Sequence, residues 1–325
     1  MLPLQQAREV RDSVIEYIKA TFRFKEKDVS DAFYRFIEDK KNGLFKGPYV
    51  SLKTPFVSAT KEESENIPLD ITPSFPPYKH QLQAFRQLSM KNGHKPEPTL
   101  LTTGTGSGKT ECFLYPILDY CFHCNQYERQ TGVKVIIMYP MNALASDQAK
   151  RLAETIWNDP RLKGKVTAGL FVGEGVNAQD YPRDMGEDHI IENRNAIIDT
   201  VPDILLTNFK MLDYGLMRQE FMPLWKGNID TEEKVLRFIV LDELHTYDGA
   251  QGTDVANLIR RLKLKLNLPK ASLCPIGTSA TIGNGEDSKA RLCEYATNVF
   301  GEQFREECVI EEHRIPVEEY IDAVT

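Results

Sequence analysis

The sequence has no long hydrophobic run, no apolar leader and few cysteines. Its densest apolar stretch, 133–138, is interrupted by Lys134, whereas a helix that spans a bilayer needs about 20 apolar residues. The first residues, MLPLQQAREV, carry no apolar signal core, so we expect no export. Six cysteines in 325 residues are too dispersed for a disulfide framework. We therefore expect reduced thiols, a cytoplasmic location and no membrane partner.

An excess of basic residues is also missing. The 40 Lys and Arg residues are outnumbered by 47 Asp and Glu residues, which gives a formal net charge of −7. This balance excludes a globally basic, histone-like nucleic-acid binder but not a local basic groove. Hydrophobic residues make up 41% and charged residues 27%, as in ordinary globular proteins. At roughly 150 residues per domain, the length predicts about two domains.

Short apolar runs alternate with helical patterns from Tyr78 onward. Candidate strands are 99–102, 133–138, 166–172, 204–206, 235–241 and 273–276, and candidate helices lie near 79–91, 109–124, 142–157, 188–198, 209–218, 250–266 and 289–299. Alternation at this spacing is typical of βαβ units. The sequence therefore predicts an α/β fold in which a parallel sheet has helices on both faces.

Residues 1–77 have a different pattern. Apolar side chains with helical spacing occur over 8–22 and around 33–37, whereas 43–77 is rich in proline and glycine. The first pattern indicates helices, and the second indicates an extended connector. We interpret 1–77 as a small helical accessory region followed by a Pro-rich linker.

A glycine-rich loop follows the first candidate strand and opens a helix. Its residues are Thr103, Gly104, Thr105, Gly106, Ser107, Gly108, Lys109 and Thr110. Glycines allow backbone N–H groups to approach phosphate oxygens, and the helix N-terminus adds positive partial charge. In such a loop Lys109 would reach the β- and γ-phosphates, and the Thr110 hydroxyl would bind Mg²⁺. The sequence therefore predicts a phosphate-binding loop, although the strict pattern has glycine in place of Thr103.

Two carboxylates stand directly after another candidate strand, in the run Val240-Leu241-Asp242-Glu243-Leu244-His245. At the end of a strand, Asp242 is suited to hold Mg²⁺ through water, and Glu243 is suited to orient and deprotonate an attacking water. Such a pair alone is usually the solvated start of a loop. Together with the phosphate loop, it predicts a site that hydrolyses a nucleotide.

These motifs together resemble the first RecA-like domain of the superfamily 2 DEAD/H-box helicases. Asp242–His245 is similar to the family's second motif in a DELH form, and 103–110 matches its phosphate loop, which lacks the first glycine. Tyr78-Lys79-His80-Gln81 resembles the upstream motif in which Gln81 pairs with adenine. The resemblance implies that ATP is bound by Tyr78, Gln81 and the loop, with Mg²⁺, and that Glu243, Asp242 and Lys109 are catalytic.

The same resemblance covers two further groups of residues. In Gly277-Thr278-Ser279-Ala280-Thr281 it identifies the Ser-Ala-Thr motif, so that hydrolysis is implied to be coupled to strand movement through His245, Ser279, Ala280 and Thr281. In 139–144 and 207–209 it identifies contacts to the nucleic-acid backbone, made by Pro140, Asn142, Thr207 and Asn208. Met141 and Asn142 depart from the family pattern, in which many members have Thr and a basic residue. The implied partner is a nucleic acid, DNA rather than RNA.

A narrower resemblance is to large bacterial helicases of the mitomycin-repair type and to helicases of the Druantia and DISARM anti-phage systems. It rests on the segments 202–208 (PDILLTN) and 245–252 (HTYDGAQG) and on Gly47-Pro48-Tyr49. This resemblance implies a role in DNA repair or in anti-phage defence.

Five of these motifs each follow the C-terminal end of a predicted strand: the phosphate loop, 139–140, 207–208, 242–243 and 279–281. Ligands of open parallel sheets bind outside those ends. We therefore expect the groups to meet at one edge of a RecA-like ATP-binding helicase domain over 78–300. In such motors ATP lies between two RecA-like domains, and the second supplies an arginine finger. We expect 301–325 to begin a linker toward that domain, in the same or another chain, and we expect little activity from this chain alone.

Three weaker features each have two interpretations. Cys121-Phe122-His123-Cys124 has metal-like spacing but no second such pair, so we favour thiols packed in a core. The basic residues Arg260, Arg261, Lys263 and Lys265 fit a nucleic-acid backbone or, as we favour, a solvated helix face. The acidic stretch 174–188 fits a metal site or, as we favour, a solvated loop.

The leading hypothesis is the ATP-binding motor domain of a DNA helicase or translocase. Two alternatives belong to other classes: a non-catalytic P-loop scaffold in a defence or repair complex, and a P-loop phosphotransferase that acts on a small molecule. The scaffold predicts that Lys109→Ala has no effect in cells. The phosphotransferase predicts ATP turnover that is indifferent to DNA.

Overall fold

The computed structural model describes residues 3–39, 41–46, 53–104, 106–127, 129–173, 181–279 and 287–324. The chain divides into two compact units, a smaller one made of Met1–Pro55 and Pro316–Thr325 and a larger one made of Phe56–Ile315. None of the helices in the described ranges is both long and apolar enough to cross a membrane.

The smaller unit is helical. It contains α1 (Pro3–Thr21), α2 (Lys27–Glu38) and, from the end of the chain, α12 (Val317–Val324). Tyr34 of α2 donates a hydrogen bond of 2.8 Å to the carbonyl of Phe22, just after α1. The rings of Phe24 and Phe33 pack edge to face with their centroids 4.9 Å apart. These contacts hold the first two helices side by side.

The larger unit is built on a parallel sheet of seven described strands. These strands are β1 (Thr99–Thr102), β2 (Val135–Met138), β3 (Ala168–Phe171), β4 (Ile204–Thr207), β5 (Phe238–Leu241), β6 (Cys274–Thr278) and β7 (Val309–Glu311). Their order is β3-β4-β2-β5-β6-β1-β7, and every neighbouring pair is parallel. The first six lie where the sequence predicts strands, and β7 was not predicted.

Helices cover both faces of this sheet. They are α3 (Lys61–Glu65), α4 (Lys79–Leu88), α5 (Lys109–Cys124), α6 (Asn142–Asn158), α7 (Arg194–Thr200), α8 (Phe209–Met217), α9 (Met222–Asp230), α10 (Gly249–Lys265) and α11 (Ser288–Phe300). Leu101 packs in a core with α4, α5 and α6, whereas its neighbour Leu100 packs in a second core with α8, α10 and α11. Because successive side chains of a strand point to opposite faces, both faces are buried. The predicted α/β fold with a two-sided parallel sheet is confirmed.

A buried ion pair lies at the amino-terminal ends of β2, β3 and β4. Lys134 Nζ is 2.7 Å from Asp203 Oδ1, and the two side chains are 0% and 1% exposed. The second carboxylate oxygen of Asp203 accepts the backbone N–H of Thr167 at 2.7 Å. One carboxylate therefore connects the segments that lead into three adjacent strands.

Residues 56–77 of the connector before α4 belong to the larger unit. The N–H of Val57 donates to the carbonyl of His313 at 2.8 Å, and Ser58 forms a bridge with Tyr78. Residues on both sides of the predicted domain of 78–300 therefore contact it. The boundaries that we predict at 77/78 and 300/301 stay predictions.

Candidate active site

A cavity of about 730 Å³ lies beside the phosphate loop, at the carboxyl ends of β1 and β5. Among the residues that line it are Tyr78, Gln81, Gly104, Gly106, Gly108, Lys109, Thr110, Asp242 and Glu243. The structure thus brings the predicted upstream motif, the phosphate loop and the acidic pair to one place. The Ser107 side chain is buried, and Thr103 is buried as well. Thr105, Ala280 and Thr281 lie outside the described residues.

The phosphate loop depends on two residues with left-handed backbone conformation. Gly106 and Gly108 have φ angles of 79° and 76°, which residues other than glycine rarely adopt. A Cβ atom at Gly108 would also stand 2.3 Å from Gln81 Nε2. Thr103, where the strict pattern has glycine, accepts a hydrogen bond of 2.7 Å from the Ser107 hydroxyl. This departure from the pattern therefore closes the loop with an additional hydrogen bond.

Two successive residues of α4 bind two successive carbonyls of the loop. His80 Nε2 is 2.8 Å from the Ser107 carbonyl, and Gln81 Nε2 donates to the Gly108 carbonyl at 3.2 Å. Gln81 Oε1 accepts the N–H of Tyr78 at 2.9 Å. The amide that we expect to pair with adenine is thus held at the cavity wall by the loop itself.

The acidic pair is placed by a sharp bend after β5 and by a hydroxyl of β6. Glu243 has a φ of 50°, an uncommon conformation for a residue other than glycine. Its N–H donates to Thr278 Oγ1 at 3.0 Å, and this hydroxyl donates to Asp242 Oδ1 at 2.5 Å. Thr278 therefore fixes both acidic residues through one side chain.

Lys109 reaches across from the phosphate loop to this pair. Its Nζ is 3.7 Å from Glu243 Oε1 and donates to the Ser279 carbonyl at 3.2 Å. The Lys109 amine and the carboxylates of Asp242 and Glu243 therefore face the same cavity. This is the arrangement on which the predicted nucleotide site depends.

The electrostatics of Asp242 favour a bound cation. Burial raises the pKa of its carboxyl above the ordinary value, and the charge of Glu243 raises it further, whereas Thr278 and Lys109 lower it. A carboxylate that is costly to ionise gains most from a nearby positive charge. The Thr110 hydroxyl and the Asp242 carboxylate offer the oxygen ligands that Mg²⁺ prefers, so the donor set fits this ion.

His245 connects the acidic pair to the end of β6. Its Nδ1 is 3.3 Å from Ser279 Oγ and 3.4 Å from Glu243 Oε2. Within the described part of the predicted coupling group, His245 thus contacts Glu243 directly, and Ser279 is connected to Glu243 through His245.

The predicted nucleic-acid contacts meet at the carboxyl ends of β2 and β4. Asn208 Nδ2 donates to Asn142 Oδ1 at 2.7 Å, and Asn208 Oδ1 caps α8 by accepting the N–H of Met211 at 2.8 Å. Thr207 is buried, and its hydroxyl donates to the Phe171 carbonyl at 2.7 Å. Pro140 is half-buried directly after β2. The Thr207 side chain therefore faces the protein, so a contact there would use main-chain atoms.

Sequence reasoning missed several residues of this site. Thr278 stands inside a quoted motif, but its link to both acidic residues is visible only in three dimensions. Glu312 Oε2 accepts the N–H of Gly104 at 2.7 Å from just after β7, a contact that no motif indicates. Gln148 and Arg151 of α6 also line the cavity, and helical periodicity alone does not distinguish them from other exposed residues of α6.

Two of the weaker features take the interpretation that we favoured. Cys121 is fully buried, burial raises its pKa well above the ordinary value, and all six cysteines are free thiols. In the basic run, Arg261 pairs with Asp213 at 2.6 Å and Lys263 with Glu302 at 2.6 Å. Part of the acidic stretch, 174–180, and the tripeptide 47–49 lie outside the described residues.

Comparisons with known proteins agree with this geometry. A family model described as DEAD/DEAH box helicase matches residues 78–288. The chain is similar to the Druantia protein DruE of Escherichia coli (strain UMEA 4076-1), with 27% identity in a match that covers 66% of this chain and 16% of that protein. It is also similar to the uncharacterized ATP-dependent helicase YprA of Bacillus subtilis (strain 168), with 29% identity over 215 residues that cover 66% of this chain and 24% of that protein.

A solved structure extends the comparison to the fold. The DUF1998 helicase MrfA, in a structure bound to DNA and AMPPNP, is 26% identical, with a TM-score of 0.54, over 82% of this chain and 31% of that one. The chain spans about a quarter or less of the two curated relatives named above. The family model covers more than half of the chain, and the predicted resemblance and RecA-like fold are confirmed. This chain therefore belongs to the DEAD/DEAH box helicase family.

Proposed function

We propose that this chain is the ATP-binding motor domain of a nucleic-acid-dependent ATPase, a DNA helicase or translocase that works in DNA repair or anti-phage defence. The observation that carries the proposal is the single cavity in which Lys109 faces Asp242 and Glu243. The relatives support its direction, since DruE is named as a Druantia protein and MrfA has been solved with DNA and AMPPNP. A cytoplasmic location is part of the same proposal.

In this proposal the phosphate loop and the upstream motif bind ATP. Tyr78 and Gln81 line the cavity beside the loop, where an adenine would meet an amide and an aromatic ring. The loop's backbone N–H groups and the amine of Lys109 would bind the phosphates, with Gly108 leaving room for the close approach. Thr110 and Asp242 would hold Mg²⁺, whose charge neutralises the β- and γ-phosphate oxygens when it is bound.

Glu243 is the residue that we assign to water activation. Its carboxylate is 32% exposed at the cavity, and its backbone is fixed by Thr278. A carboxylate held in this way can orient a water molecule and accept its proton. His245, which contacts both Glu243 and Ser279, would transmit the nucleotide state to the nucleic acid, together with Ser279, Ala280 and Thr281.

The nucleic acid would lie along the carboxyl ends of β2 and β4, against Pro140, Asn142, Thr207 and Asn208. The hydrogen bond between Asn142 and Asn208 joins the two segments into one surface. Contacts to the phosphate backbone position a strand without reading its sequence. We therefore propose DNA binding with little base preference.

Turnover requires a second RecA-like domain in this proposal. The side chains of Lys109 and Glu243 are 16% and 32% exposed, so the cavity is open to solvent on one side. A cation from another domain would be needed there to stabilise the transition state. The partial coverage of the relatives supports such a domain.

The test is a comparison of two variants at the cavity. With a fluorescent ATP analogue and Mg²⁺, we expect Lys109→Ala to lose binding and Glu243→Gln to keep it. Lys270→Ala, at an exposed lysine outside the cavity and before β6, is the matched control. In a protein that includes the second domain, Glu243→Gln should slow DNA-stimulated hydrolysis by about 10²–10⁴-fold. Normal binding by Lys109→Ala, or hydrolysis indifferent to DNA, would contradict the proposal.

A further inference from the structure

Three side chains that can ligate a metal lie together near the C-terminal end of α5. Asp119 and His123 are one turn apart on this helix, and Asp70 belongs to the connector before α4. One ligand atom of each lies within 4.8 Å of the other two. Since a helix rises about 1.5 Å per residue, His123 is about 20 Å along α5 from Lys109. The cluster is thus separate from the nucleotide cavity.

The spacing of the ligand atoms suits a small divalent ion. His123 Nε2 is 2.9 Å from Asp70 Oδ2 and 3.8 Å from Asp119 Oδ2. In a tetrahedral zinc site with bonds of about 2.0–2.2 Å, neighbouring ligand atoms are about 3.3 Å apart. The two measured separations lie on either side of this value, so small side-chain rotations are enough to form the site.

Asp119 contributes a buried carboxylate. Its side chain is 5% exposed, and its Oδ1 accepts the N–H groups of Asp70 at 2.7 Å and Ile71 at 2.8 Å. Its Oδ2 is 3.8 Å from His123 Nε2. Burial raises the pKa of this carboxyl above its ordinary value. A cation at Oδ2 would remove the cost of this buried charge.

Both ring nitrogens of His123 face oxygen atoms. Without a metal, Nε2 is placed to donate its N–H to Asp70 Oδ2 at 2.9 Å. An N–H on Nδ1 instead, 3.4 Å from the Gln126 side-chain oxygen, would leave the Nε2 lone pair for a metal. Both Asp119 and His123 line a surface cavity of about 430 Å³, which has room for the ion and a water ligand. The metal-like spacing in 121–124 therefore points to His123 with two carboxylates, not to paired thiolates.

We propose that Asp70, Asp119 and His123 bind a divalent transition-metal ion of the zinc type, which fastens the connector to α5. Two carboxylates and one imidazole form a donor set that such ions accept. Lys91 Nζ contacts Asp70 at Oδ1, at 2.7 Å, and leaves Oδ2 for the metal. Bound metal would link the connector to the helix that begins at the phosphate loop.

The site is tested by titrating the full chain with Zn²⁺ and measuring the binding by calorimetry. We expect saturable binding of one ion and a rise of the thermal midpoint, and at least tenfold weaker binding in His123→Gln and Asp119→Asn. Asp119→Asn keeps the Oδ1 that accepts two N–H groups, so the fold should be retained. The matched control is His189→Gln, which removes a histidine 2.8 Å from Asp188 outside the three-ligand cluster.

A second variant separates the metal site from a simple network of ion pairs. Lys91→Gln removes the amine that competes for the Asp70 carboxylate, so Zn²⁺ affinity should be at least that of the unchanged chain. Lower affinity in Lys91→Gln would overturn the assignment of Asp70. Equal Zn²⁺ binding by the unchanged chain and by His123→Gln, or an equal loss in His189→Gln, would overturn the site as a whole.

Discussion

At the scale of single residues, the loop conformation depends on positions where a side chain has no room. Gly108 combines a positive φ with a close approach to Gln81, while its carbonyl accepts a hydrogen bond from the same amide. The chain can adopt this geometry because glycine has no Cβ atom. Glu243 adopts a similar φ without being glycine, and strain of this kind is concentrated at functional sites.

Replacing Gly108 with alanine should therefore remove nucleotide binding. The new Cβ would displace Gln81 and tilt the N–H groups that face the cavity, since it would stand 2.3 Å from Gln81 Nε2. Gly164→Ala is the matched control because Gly164 has a φ of 74° with nothing within 4 Å of its Cβ position. It should cost about 1–2 kcal/mol of stability and leave binding unchanged. Equal binding of a fluorescent ATP analogue by the two variants would contradict this account.

At the scale of elements, the ion pair of Lys134 and Asp203 lies where three strands begin. Lys134→Met removes the buried cation of the Asp203 carboxylate and leaves the half-exposed Arg129 guanidinium 4.0 Å away, so we expect a loss of about 3–5 kcal/mol in the free energy of unfolding. The exposed pair of Lys289 and Glu311 is the control, since Lys289→Met should cost about 0–1 kcal/mol. Urea denaturation measures the free energy of unfolding of both variants. Similar losses in the two would show that burial does not determine how much an ion pair contributes to stability.

Elements with a strong pattern could be predicted from the sequence, and those without one could not. The helix α5 follows a phosphate loop and has the predicted bounds, 109–124. The strand β7 has three residues, one of them Glu311, which is too short and too polar to show a strand pattern. The helix α9 has nine residues with Gly227 in its interior, which weakens a helical pattern in sequence.

The residues of the candidate site also divide into those that a sequence pattern indicates and those that none does. Lys109 and the acidic pair were predicted because the glycine-rich loop that ends at Lys109 and the Asp242-Glu243 pair each begin directly after an apolar strand. Glu312 was not, because its partner Gly104 is 208 residues away in sequence. Contacts of that kind depend on the order of strands in the sheet, which the sequence did not indicate.

At the scale of the whole molecule, residues 56–315 contain a complete sheet with a core on each face. We therefore expect this segment, expressed alone, to fold and to bind a fluorescent ATP analogue with Mg²⁺ as the full chain does. Its thermal midpoint, followed by circular dichroism, should lie within a few degrees of the main transition of the full chain. A segment that is unfolded or loses binding would show that the remaining residues are needed for the fold.

The position of β1 between β6 and β7 has a consequence for biosynthesis. Both neighbours of this strand come from the last third of the chain, since Leu100 pairs with Gly277 on one side and with Val309 on the other. A nascent polypeptide emerging from the ribosome therefore leaves β1 unpaired until nearly all of the larger unit has been synthesised. Cotranslational folding would begin among β2, β3 and β4, and ATP could not assist before β6 and β7 have been synthesised.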